Sequence, residues 1–571
     1  MARSAIVVGS GAGGSAAAWA LAKAGWDVLI LEKGRHLLPG LGTPSGPRTL
    51  FGNDEVKAGR YFENQDIVLE PRTSRTQDEA KNGTAYSFIG DVNTLPTVVG
   101  GGTIHWDAKT PRFWKQDFTM LSDHGPVSDA NVADWPLTYR DLAPFYDEVE
   151  ELLGVQGDIH KMPKTTLQQA PRKKQFPMPP NPPMYGGSLI AEGAKQLGYH
   201  AYPFPMAVNS RAYAGRPRCN SCGFCSGYGC PIQARGGAAV SFLHDALLAG
   251  ARLEPRAFVY KVRTNAKGTR VTGVSYLDDN GGKHHASADV VILALSAIET
   301  ARLLLMSRTS KFPNGLANRS DMVGRNLMFH FFTAALAVFA GEVHAWRGPS
   351  TTFTIDDFVG PEKNAVIKAA GLPYVKGGIC EVGASTLLLE EAQSYAAIPN
   401  TWGLPHKELM RVSPARSHFA ALNMVGEDLP QVNNRVDLDP STKDVYGFPV
   451  PRITYSSHNH ELVASAFYGP KLAAICAAAP GAIAGTFLPL FLLNKVGGSV
   501  ATFSQTRHIF GTARMGHDPK TSVADAWGRA HDLDNLYLAD GSVFPTSGGF
   551  NPSLTIMALS LRMARRLAGK H

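Results

Sequence analysis

The sequence predicts an α/β protein in which a dinucleotide-binding domain is joined to at least one further domain. Three observations support this prediction. The chain opens with a strand, a glycine-rich turn, a helix and a second strand. Another buried strand followed by a helix lies near the middle of the chain. Finally, 571 residues are too many for one ordinary hydrophobic core.

The opening strand is predicted over residues 5–8, because a continuous apolar run is typical of a strand buried on both faces. An alanine-rich helix is expected over residues 15–24, with Gly25 as its C-cap. A second apolar strand follows over residues 26–31 and ends at Glu32. This order of elements is the start of a parallel sheet.

The turn between the first strand and the helix reads Gly9-x-Gly11-x-x-Gly14. The first glycine permits the tight turn, the second lets a pyrophosphate approach the backbone, and the third lets the helix pack against the strand. Glu32 is positioned to accept hydrogen bonds from a ribose, and its charge disfavours the 2′-phosphate of NADP. The pattern predicts a dinucleotide site but does not separate FAD from NAD.

Later elements follow the same logic. Residues 270–276 and their neighbours predict a β-hairpin with a turn at Gly281-Gly282. A buried strand is expected over residues 289–294, followed by a helix over 298–306. A further apolar strand is expected over residues 536–539, close to the C-terminus.

The stretch 472–493 contains no charged residue and is long enough to span a membrane. Pro480, Gly481, Gly485 and Pro489 interrupt it, which favours a buried helix pair or an apolar wall beside the active site over a membrane span.

The net charge of +8 is spread along the chain, so a solvated face is expected and not a nucleic-acid site. The first strand begins almost at the first residue and leaves no room for a signal peptide. A cytoplasmic location is therefore expected, although export on a partner subunit stays open.

Four of the six cysteines crowd together at Cys219, Cys222, Cys225 and Cys230, the last followed by proline. In a chain without an export signal, such spacing points to metal or redox chemistry before disulfides. An iron–sulfur cluster, a structural zinc site, and ordinary thiols or a disulfide are the three alternatives.

Four motifs, in this order, resemble those of the glucose–methanol–choline (GMC) oxidoreductase family. They are the N-terminal glycine turn with Glu32, residues 100–106 (Gly-Gly-Gly-Thr-Ile-His-Trp), residues 294–300 (Ala-Leu-Ser-Ala-Ile-Glu-Thr), and a C-terminal set around His508, Asp540 and Asn551. The resemblance covers most of the chain. It is nearest to bacterial sugar or alcohol dehydrogenase flavoprotein subunits and to pyranose-oxidase-like members.

This resemblance implies FAD as the cofactor and a fold of two domains. A Rossmann-type FAD-binding domain is expected from the discontinuous segments 1–110, 216–324 and 501–571. A substrate-binding domain with an antiparallel sheet flanked by helices is expected from segments 111–215 and 325–500.

By the same resemblance, His508 is the catalytic histidine and Asn551 its partner. A histidine titrates near neutrality and can accept a hydroxyl proton, and an asparagine can orient the same oxygen. The structural alternatives are a His508 that bonds a backbone carbonyl and an Asn551 that caps the last helix, with Pro552 at its first position. Asp540 matches a flavin-contacting acid; its alternative is a turn formed with Gly541. The residues expected to bind FAD are Gly9, Ser10, Gly11, Gly14, Glu32, Lys33, Gly101, Gly102, Thr103, His105, Val259, Asp540, Gly541 and Ser553.

Two further features follow from particular members of the family. The loop from His105 is similar to that of pyranose oxidases, in which a histidine bonds covalently to the flavin; non-covalent packing on the ring is the alternative. Some sugar dehydrogenase subunits carry an iron–sulfur cluster on comparable cysteines and pass electrons to a cytochrome. Here Cys222 is extra and Cys230 lies one residue further along than in that pattern.

The sequence thus predicts an FAD-dependent oxidoreductase that converts a CH–OH group of a sugar or other alcohol into a carbonyl. His508 would take the proton while hydride passes to flavin N5. A non-oxygen electron acceptor, such as a cytochrome or small subunit, is favoured. An oxidase that forms hydrogen peroxide is the first alternative, and a redox-silent FAD-containing lyase is the second. The substrate itself is not predicted.

Overall fold

The computed structural model describes residues 2–47, 72–83, 96–383, 391–392, 395–396, 398–412, 417–488, 495–496, 499–500 and 506–569. The strands of these residues, in chain order, are β1 (Ser4–Val8), β2 (Asp27–Glu32), β3 (Thr73–Arg75), β4 (Ala201–Pro203), β5 (Arg252–Pro255), β6 (Phe258–Thr264), β7 (Val271–Leu277), β8 (Lys283–Ser287), β9 (Val290–Leu293), β10 (His330–Phe339), β11 (Phe353–Ile355), β12 (Pro361–Glu362), β13 (Val375–Lys376), β14 (Cys380–Gly383), β15 (Phe419–Glu427), β16 (Arg435–Lys443), β17 (Pro449–Thr454), β18 (Ala482–Leu488), β19 (Lys495–Val496), β20 (Ser499–Val500) and β21 (Leu536–Leu538).

The α-helices of the same residues are α1 (Ala12–Ala22), α2 (Gln77–Asn82), α3 (Met120–His124), α4 (Tyr139–Leu153), α5 (Lys164–Gln169), α6 (Tyr185–Gln196), α7 (His244–Leu248), α8 (Ala297–Met306), α9 (Ala365–Ala369), α10 (Leu404–Val412), α11 (Asn459–Ala477) and α12 (Ser553–Leu567). Short 3₁₀ turns occupy Gly101–Ile104, Lys115–Phe118, Ile159–Lys161 and Gly541–Val543, and Ala238–Leu243 forms a π-helix.

A five-stranded parallel sheet in the order β21-β9-β1-β2-β5 forms the first half of the architecture. Its central strands are apolar and buried, as strands covered on both faces require. Helix α1 packs against α12. The sheet draws its strands from all three segments expected to form the cofactor domain, although the boundaries of those segments stay a prediction.

A six-stranded antiparallel sheet in the order β18-β10-β15-β14-β11-β4 forms the second half. Helices α6 and α11 pack against this sheet. Along β10 the side chains alternate between two faces. Ala335 and Ala337 belong to the core shared with α11, and the Thr333 hydroxyl donates to Ser465 of that helix at 3.0 Å. The opposite face is left for a cavity.

Smaller sheets complete the described part of the chain. Strands β6, β7 and β8 form a meander, with the predicted turn at Gly281-Gly282 between the last two. A three-stranded sheet has the order β16-β17-β3, in which β17 pairs in parallel with β3 and antiparallel with β16. β12 pairs with β13, and β19 with β20.

The predicted α/β class is confirmed, and the early elements lie within a few residues of their expected bounds. Helix α1 begins at Ala12, three residues earlier than expected, because the glycines of the turn already adopt helical geometry. The apolar stretch 472–493 is not a helix pair. Its first part ends α11 and its middle forms strand β18, while residues 489–494 lie outside the described residues. Among the described helices, none combines the length and hydropathy needed to span a membrane.

Candidate active site

A cavity of about 880 Å³ lies between the two large sheets. One wall is the carboxyl edge of the parallel sheet, where Val8, Leu31 and Ala294 line the cavity. This edge is where open α/β sheets bind their ligands. The opposite wall is the exposed face of the antiparallel sheet, represented by Phe332 and Ala421.

Most predicted site residues line this one cavity. They are Gly9, Gly11, Glu32, Lys33, Gly101, Gly102, Thr103, His105, Val259, His508, Asp540, Gly541, Asn551 and Ser553. Ser10 and Gly14 are placed behind it. The Ser10 hydroxyl donates to Glu32 at 2.7 Å and accepts from the Gly100 N–H at 3.0 Å. A Cβ on Gly14 would lie 1.9 Å from the Gly9 carbonyl oxygen, so this glycine serves the packing of helix on strand.

Glu32 ends β2 at one end of the cavity. Its Oε2 accepts from the backbone N–H and the hydroxyl of Ser10 at 2.8 and 2.7 Å, and its Oε1 accepts from the Gly34 N–H at 2.8 Å. A carboxylate has about four acceptor positions. Glu32 is therefore held rigidly and still has room to accept from a ribose.

The glycine turn fits the pyrophosphate of a dinucleotide. A Cβ on Gly11 would meet only the Gly101 Cα, at 3.8 Å, so the cavity side of this residue is open. Helix α1 starts here with no side-chain cap and no acidic residue in its first turn. Its N-terminal N–H groups and dipole are suited to a phosphate.

Asp540 follows β21 and closes the parallel-sheet wall. Its two oxygens accept from the Thr300 hydroxyl at 2.6 Å and the Ser542 N–H at 2.8 Å. Burial raises the pKa of Asp540, while these hydrogen bonds act in the opposite direction. The predicted turn with Gly541 is present as well, so both interpretations of Asp540 are compatible.

His508 lines the cavity and lies on the segment that runs into a bridge between Phe510 and Met328. Gly511 shapes this segment. Its φ is +73°, and a Cβ at this position would lie 1.8 Å from the Asn326 carbonyl oxygen, so both the backbone angle and the close approach require glycine. The Nδ1 atom of His508 lies 2.8 Å from Nδ1 of His330, the first residue of β10.

Asn551 lines the same cavity and lies just before α12. It does not cap the helix: Pro552 occupies the N-cap position, and the Asn551 Nδ2 donates to Glu381 Oε1 at 3.0 Å. The alternative interpretation of Asn551 as a cap is therefore wrong, because a cap would use Oδ1 to accept a helix N–H and no such hydrogen bond is present among the described residues. Within the described residues, the buried Oδ1 of Asn551 has no protein partner.

Lys109 links Asn551 to a buried charge network. Its Nζ lies 2.6 Å from Glu381 Oε2 and 2.8 Å from Asp107 Oδ2. Burial alone would lower the pKa of Lys109, but Asp107 and Glu381 raise it. Burial alone would raise the pKa of Asp107, but Lys109 holds it below its usual value. Lys109 and Asp107 are therefore both ionised at neutral pH.

The three histidines of the site are uncharged at neutral pH, in contrast to Lys109 and Asp107. Burial, helped by His330 and Lys109, lowers the pKa of His508 well below its usual value. Burial lowers the pKa of His330 to about 4 and, together with Arg507 and Arg235, that of His105 to about 3. All three rings are neutral at pH 7, as a base that must accept a proton requires.

The cysteine loop flanks the cavity. Ser226 and Gly227 line it, and the Gly227 N–H donates to the His105 carbonyl at 3.2 Å. All six cysteines are free thiols. Across the described ranges, no group of three or more His, Cys, Asp or Glu side chains is placed to hold a metal ion. In this arrangement the four cysteines do not fit a zinc or iron–sulfur site.

The motifs did not predict His330, Glu381 or Lys109. His330 and Glu381 belong to the antiparallel sheet, far from His508 and Asn551 in the sequence, and no local pattern marks them. Lys109 lies four residues after His105, just beyond the motif at residues 100–106, and its charge was the only available signal.

The fold and the cavity define a protein with a Rossmann-type nucleotide site whose cavity is also lined by a histidine–asparagine pair. GMC oxidoreductase family models match residues 130–332 and 430–560, and an NAD(P)-binding Rossmann-like domain model matches residues 7–59. The chain is 30% identical to the fructose dehydrogenase large subunit of Gluconobacter japonicus, over 98% of this chain and 96% of that protein.

A second relative, the 2-methyl-1,2-propanediol dehydrogenase of Mycolicibacterium austroafricanum, is 29% identical over 98% of this chain and 93% of its own length. The structure of formate oxidase from Aspergillus oryzae is similar with a TM-score of 0.65 at 15% identity, covering 100% of this chain and 99% of the oxidase, which shows a shared fold. This chain belongs to the GMC oxidoreductase family, whose FAD enzymes act on CH–OH groups. The predicted family and enzyme class are confirmed.

Proposed function

We propose that this protein is an FAD-dependent dehydrogenase that oxidises a CH–OH group of a sugar or small alcohol to a carbonyl. The observation that supports it best is the position of His508 and Asn551. Both line the cavity that Glu32 and the glycine turn also line. Bound FAD would supply the acceptor for the hydride that leaves the substrate carbon.

His508 is proposed to take the hydroxyl proton. Its neutral ring faces the cavity, and the substrate O–H bond breaks toward it while the C–H bond loses hydride. The substrate loses one proton and one hydride, and a C=O bond forms. Asn551 would hold the same oxygen, because its amide is fixed by Glu381 and cannot rotate freely.

The substrate end of the cavity combines two surfaces. Phe332, Leu336 and Phe419 provide an apolar wall, while Asn423 and Thr351 provide hydrogen-bonding groups. A polyol or sugar ring has one polar edge and apolar faces, so it suits such a pocket. D-Fructose and 2-methyl-1,2-propanediol, named for the two relatives, are the first compounds to test.

An acceptor other than oxygen is proposed, because the fructose dehydrogenase large subunit, at 30% identity over 98% of this chain, and the 2-methyl-1,2-propanediol dehydrogenase are both named dehydrogenases. One of them is named as a large subunit, which supports a partner subunit for this chain also. The oxidase alternative is supported by a further relative, the paromamine 6′-oxidase of Streptomyces fradiae, which is 29% identical over 99% of this chain. Faster reduction of a dye than of oxygen, measured on one preparation, would support the dehydrogenase.

A covalent bond between His105 and the flavin remains a proposal. The ring is buried and lines the cavity, and burial lowers its pKa to about 3, so one ring nitrogen carries a lone pair and no proton at neutral pH. Acid precipitation tests it: a yellow pellet supports the bond, and a colourless pellet with free FAD in solution refutes it.

No electron-transfer step is assigned to the cysteine loop, since its thiols do not converge on a metal site among the described residues. The iron–sulfur prediction is tested by iron analysis and the visible spectrum of the purified protein. Iron in stoichiometric amount and absorbance beyond the flavin bands would support a cluster. A flavin-only spectrum without metal would remove it.

The deciding experiment is anaerobic flavin reduction in His508→Ala. The variant should bind FAD normally, yet its flavin should be reduced at least about a hundredfold more slowly by an alcohol that bleaches the wild type. Near-normal reduction would contradict the role of His508. If no sugar, diol or aryl alcohol bleaches the wild-type flavin, the redox-silent lyase becomes the better interpretation.

A further inference from the structure

His330 lies directly behind His508, and both of its ring nitrogens make hydrogen bonds. Its Nδ1 is 2.8 Å from Nδ1 of His508, and its Nε2 is 2.9 Å from the Gly548 carbonyl oxygen and 3.2 Å from that of Ser547. The two rings cross at 86° with centroids 5.0 Å apart. The His330 side chain is fully buried.

The partners of Nε2 determine where the protons of both rings lie. A carbonyl oxygen only accepts hydrogen bonds, so Nε2 of His330 must carry a hydrogen. A neutral imidazole has one N–H, so Nδ1 of His330 is an acceptor. The hydrogen between the two rings must then belong to Nδ1 of His508.

The charges around the pair are consistent with two neutral rings. Lys376 on β13 acts on His330 and disfavours its protonation, as burial does. Lys109 disfavours and Asp107 favours protonation of His508, and burial again dominates. With both rings neutral, each has one N–H, and a single arrangement satisfies every contact.

We infer that His330 is a positioning residue that holds His508 in the Nδ1–H tautomer and thereby makes Nε2 of His508 the atom that takes the substrate proton. This inference rests on the proposed function and names the atom that performs it. Within the described residues, no protein group forms a hydrogen bond with Nε2 of His508, so its lone pair is available to the cavity. Which nitrogen of a histidine reacts is set by the hydrogen bond that the other nitrogen makes.

The hydrogen bond between His508 and His330 also stabilises His508 after it has taken the proton. When Nε2 takes the proton, His508 becomes an imidazolium whose Nδ1–H donates to His330 as a charge-assisted hydrogen bond. Because His330 is uncharged, it orients His508 without the attraction of a carboxylate, which would favour the protonated ring before substrate arrives.

Two substitutions separate tautomer control from simple packing. In His330→Asn, Oδ1 replaces Nδ1 and still accepts from His508. In His330→Gln, Nε2 replaces the ring Nε2 and still donates to the carbonyls of Ser547 and Gly548, but nothing accepts from His508. Anaerobic flavin reduction should stay within about tenfold of wild type in His330→Asn and fall roughly a hundredfold in His330→Gln, with little change in the substrate dissociation constant. Equal rates or the reverse order would overturn the inference.

A second measurement does not depend on activity or on the two His330 variants. In wild-type holoenzyme labelled with ¹⁵N-histidine, long-range ¹H–¹⁵N spectra distinguish protonated from unprotonated ring nitrogens. The signals of His508, identified by their loss in His508→Gln, should show a protonated Nδ1 and an unprotonated Nε2. A protonated Nε2 would overturn the inference even if His508→Ala proves inactive, whereas an active His508→Ala would refute the proposed function itself.

Discussion

Glu381 receives two donors from different directions, and only a carboxylate can serve both. Asn551 donates to Oε1 and Lys109 to Oε2. A glutamine at this position has a single acceptor oxygen, so its NH₂ group would face either the Lys109 ammonium or the Asn551 amide. The usual isosteric replacement is therefore not conservative here.

We expect Glu381→Gln to lower the free energy of unfolding by about 1.5–3 kcal/mol, the usual contribution of a hydrogen bond to a charged group. Flavin reduction should slow about tenfold, because Asn551 is no longer held on the substrate oxygen. Denaturant unfolding and stopped-flow reduction measure the two effects. Glu408→Gln breaks an exposed ion pair with Arg411 and is the matched control, which should change neither quantity. Wild-type values in Glu381→Gln would refute the network.

The pH dependence of flavin reduction should report the neutral state of His508. Burial, His330 and Lys109 lower its pKa and Asp107 opposes them, so the ring has already lost its proton at neutral pH. Only the protonated form is inactive as a base. The reduction rate should therefore stay constant as pH falls through 6.5, the ordinary histidine pKa, and decline only well below it. An inflection at or above that ordinary value in single-turnover reduction would contradict this.

At the scale of single residues, the sequence predicted those members of the candidate site that belong to motifs and no others. His508 and Asn551 were found because each lies in a recognisable local pattern. Their supports were not, since His330 is 178 residues from His508, and Glu381 is 170 from Asn551. Such contacts form only when distant segments of the chain meet in the fold, and the burial that lowers the pKa of His508 and His330 has no signature in a single sequence.

At the scale of elements, the glycine turn divides into residues that serve packing and residues that serve the cavity. Gly14→Ala would place a Cβ 1.9 Å from the Gly9 carbonyl oxygen. It should destabilise even the FAD-free protein by about 3 kcal/mol through overpacking.

Gly11→Ala is the matched control, because its Cβ would meet only the Gly101 Cα, at 3.8 Å. It should leave FAD-free stability unchanged and weaken FAD binding by roughly 1–3 kcal/mol, since the new methyl group enters the cavity. Thermal unfolding and FAD titration distinguish the two. Equal effects of both substitutions on stability would contradict the division.

The strand pair β10–β15 should control substrate access without affecting the cofactor. Ala421 lies in the wall of the cavity on β15, opposite the parallel sheet. Ala421→Phe should abolish flavin reduction by alcohols, while dithionite still reduces the flavin and the FAD content stays the same. Loss of FAD in this variant would contradict the separation of the two walls.

The elements also show where the hydrophobic pattern of the sequence is not enough to predict helix or strand. The opening strand and helix follow a strong local pattern and were predicted closely. The apolar stretch 472–493 was not, because an uncharged run suits a buried helix and a buried strand equally well. Strand β18 forms there since it pairs with β10, a partner far away in the sequence.

At the scale of the whole molecule, the cofactor should join the two sheets, because its cavity takes one wall from each. FAD bound at a hundred times its dissociation constant should stabilise the folded protein by about 2.7 kcal/mol. We expect FAD-free protein to unfold at a lower temperature and added FAD to restore it. ADP, which can fill only the nucleotide end, should restore less. A midpoint independent of FAD would refute this coupling.

The positions of His330 on β10 and Glu381 on β14 have a consequence for redesign. Both supports of the proposed reacting groups belong to the sheet that forms the proposed substrate wall, so catalysis and substrate choice would share one scaffold. A library aimed at new substrates should vary Phe332, Leu336 and Phe419, whose side chains face the cavity. It should leave the two supports unchanged, since a wider pocket gained at either position would misalign the groups that act on whatever enters it.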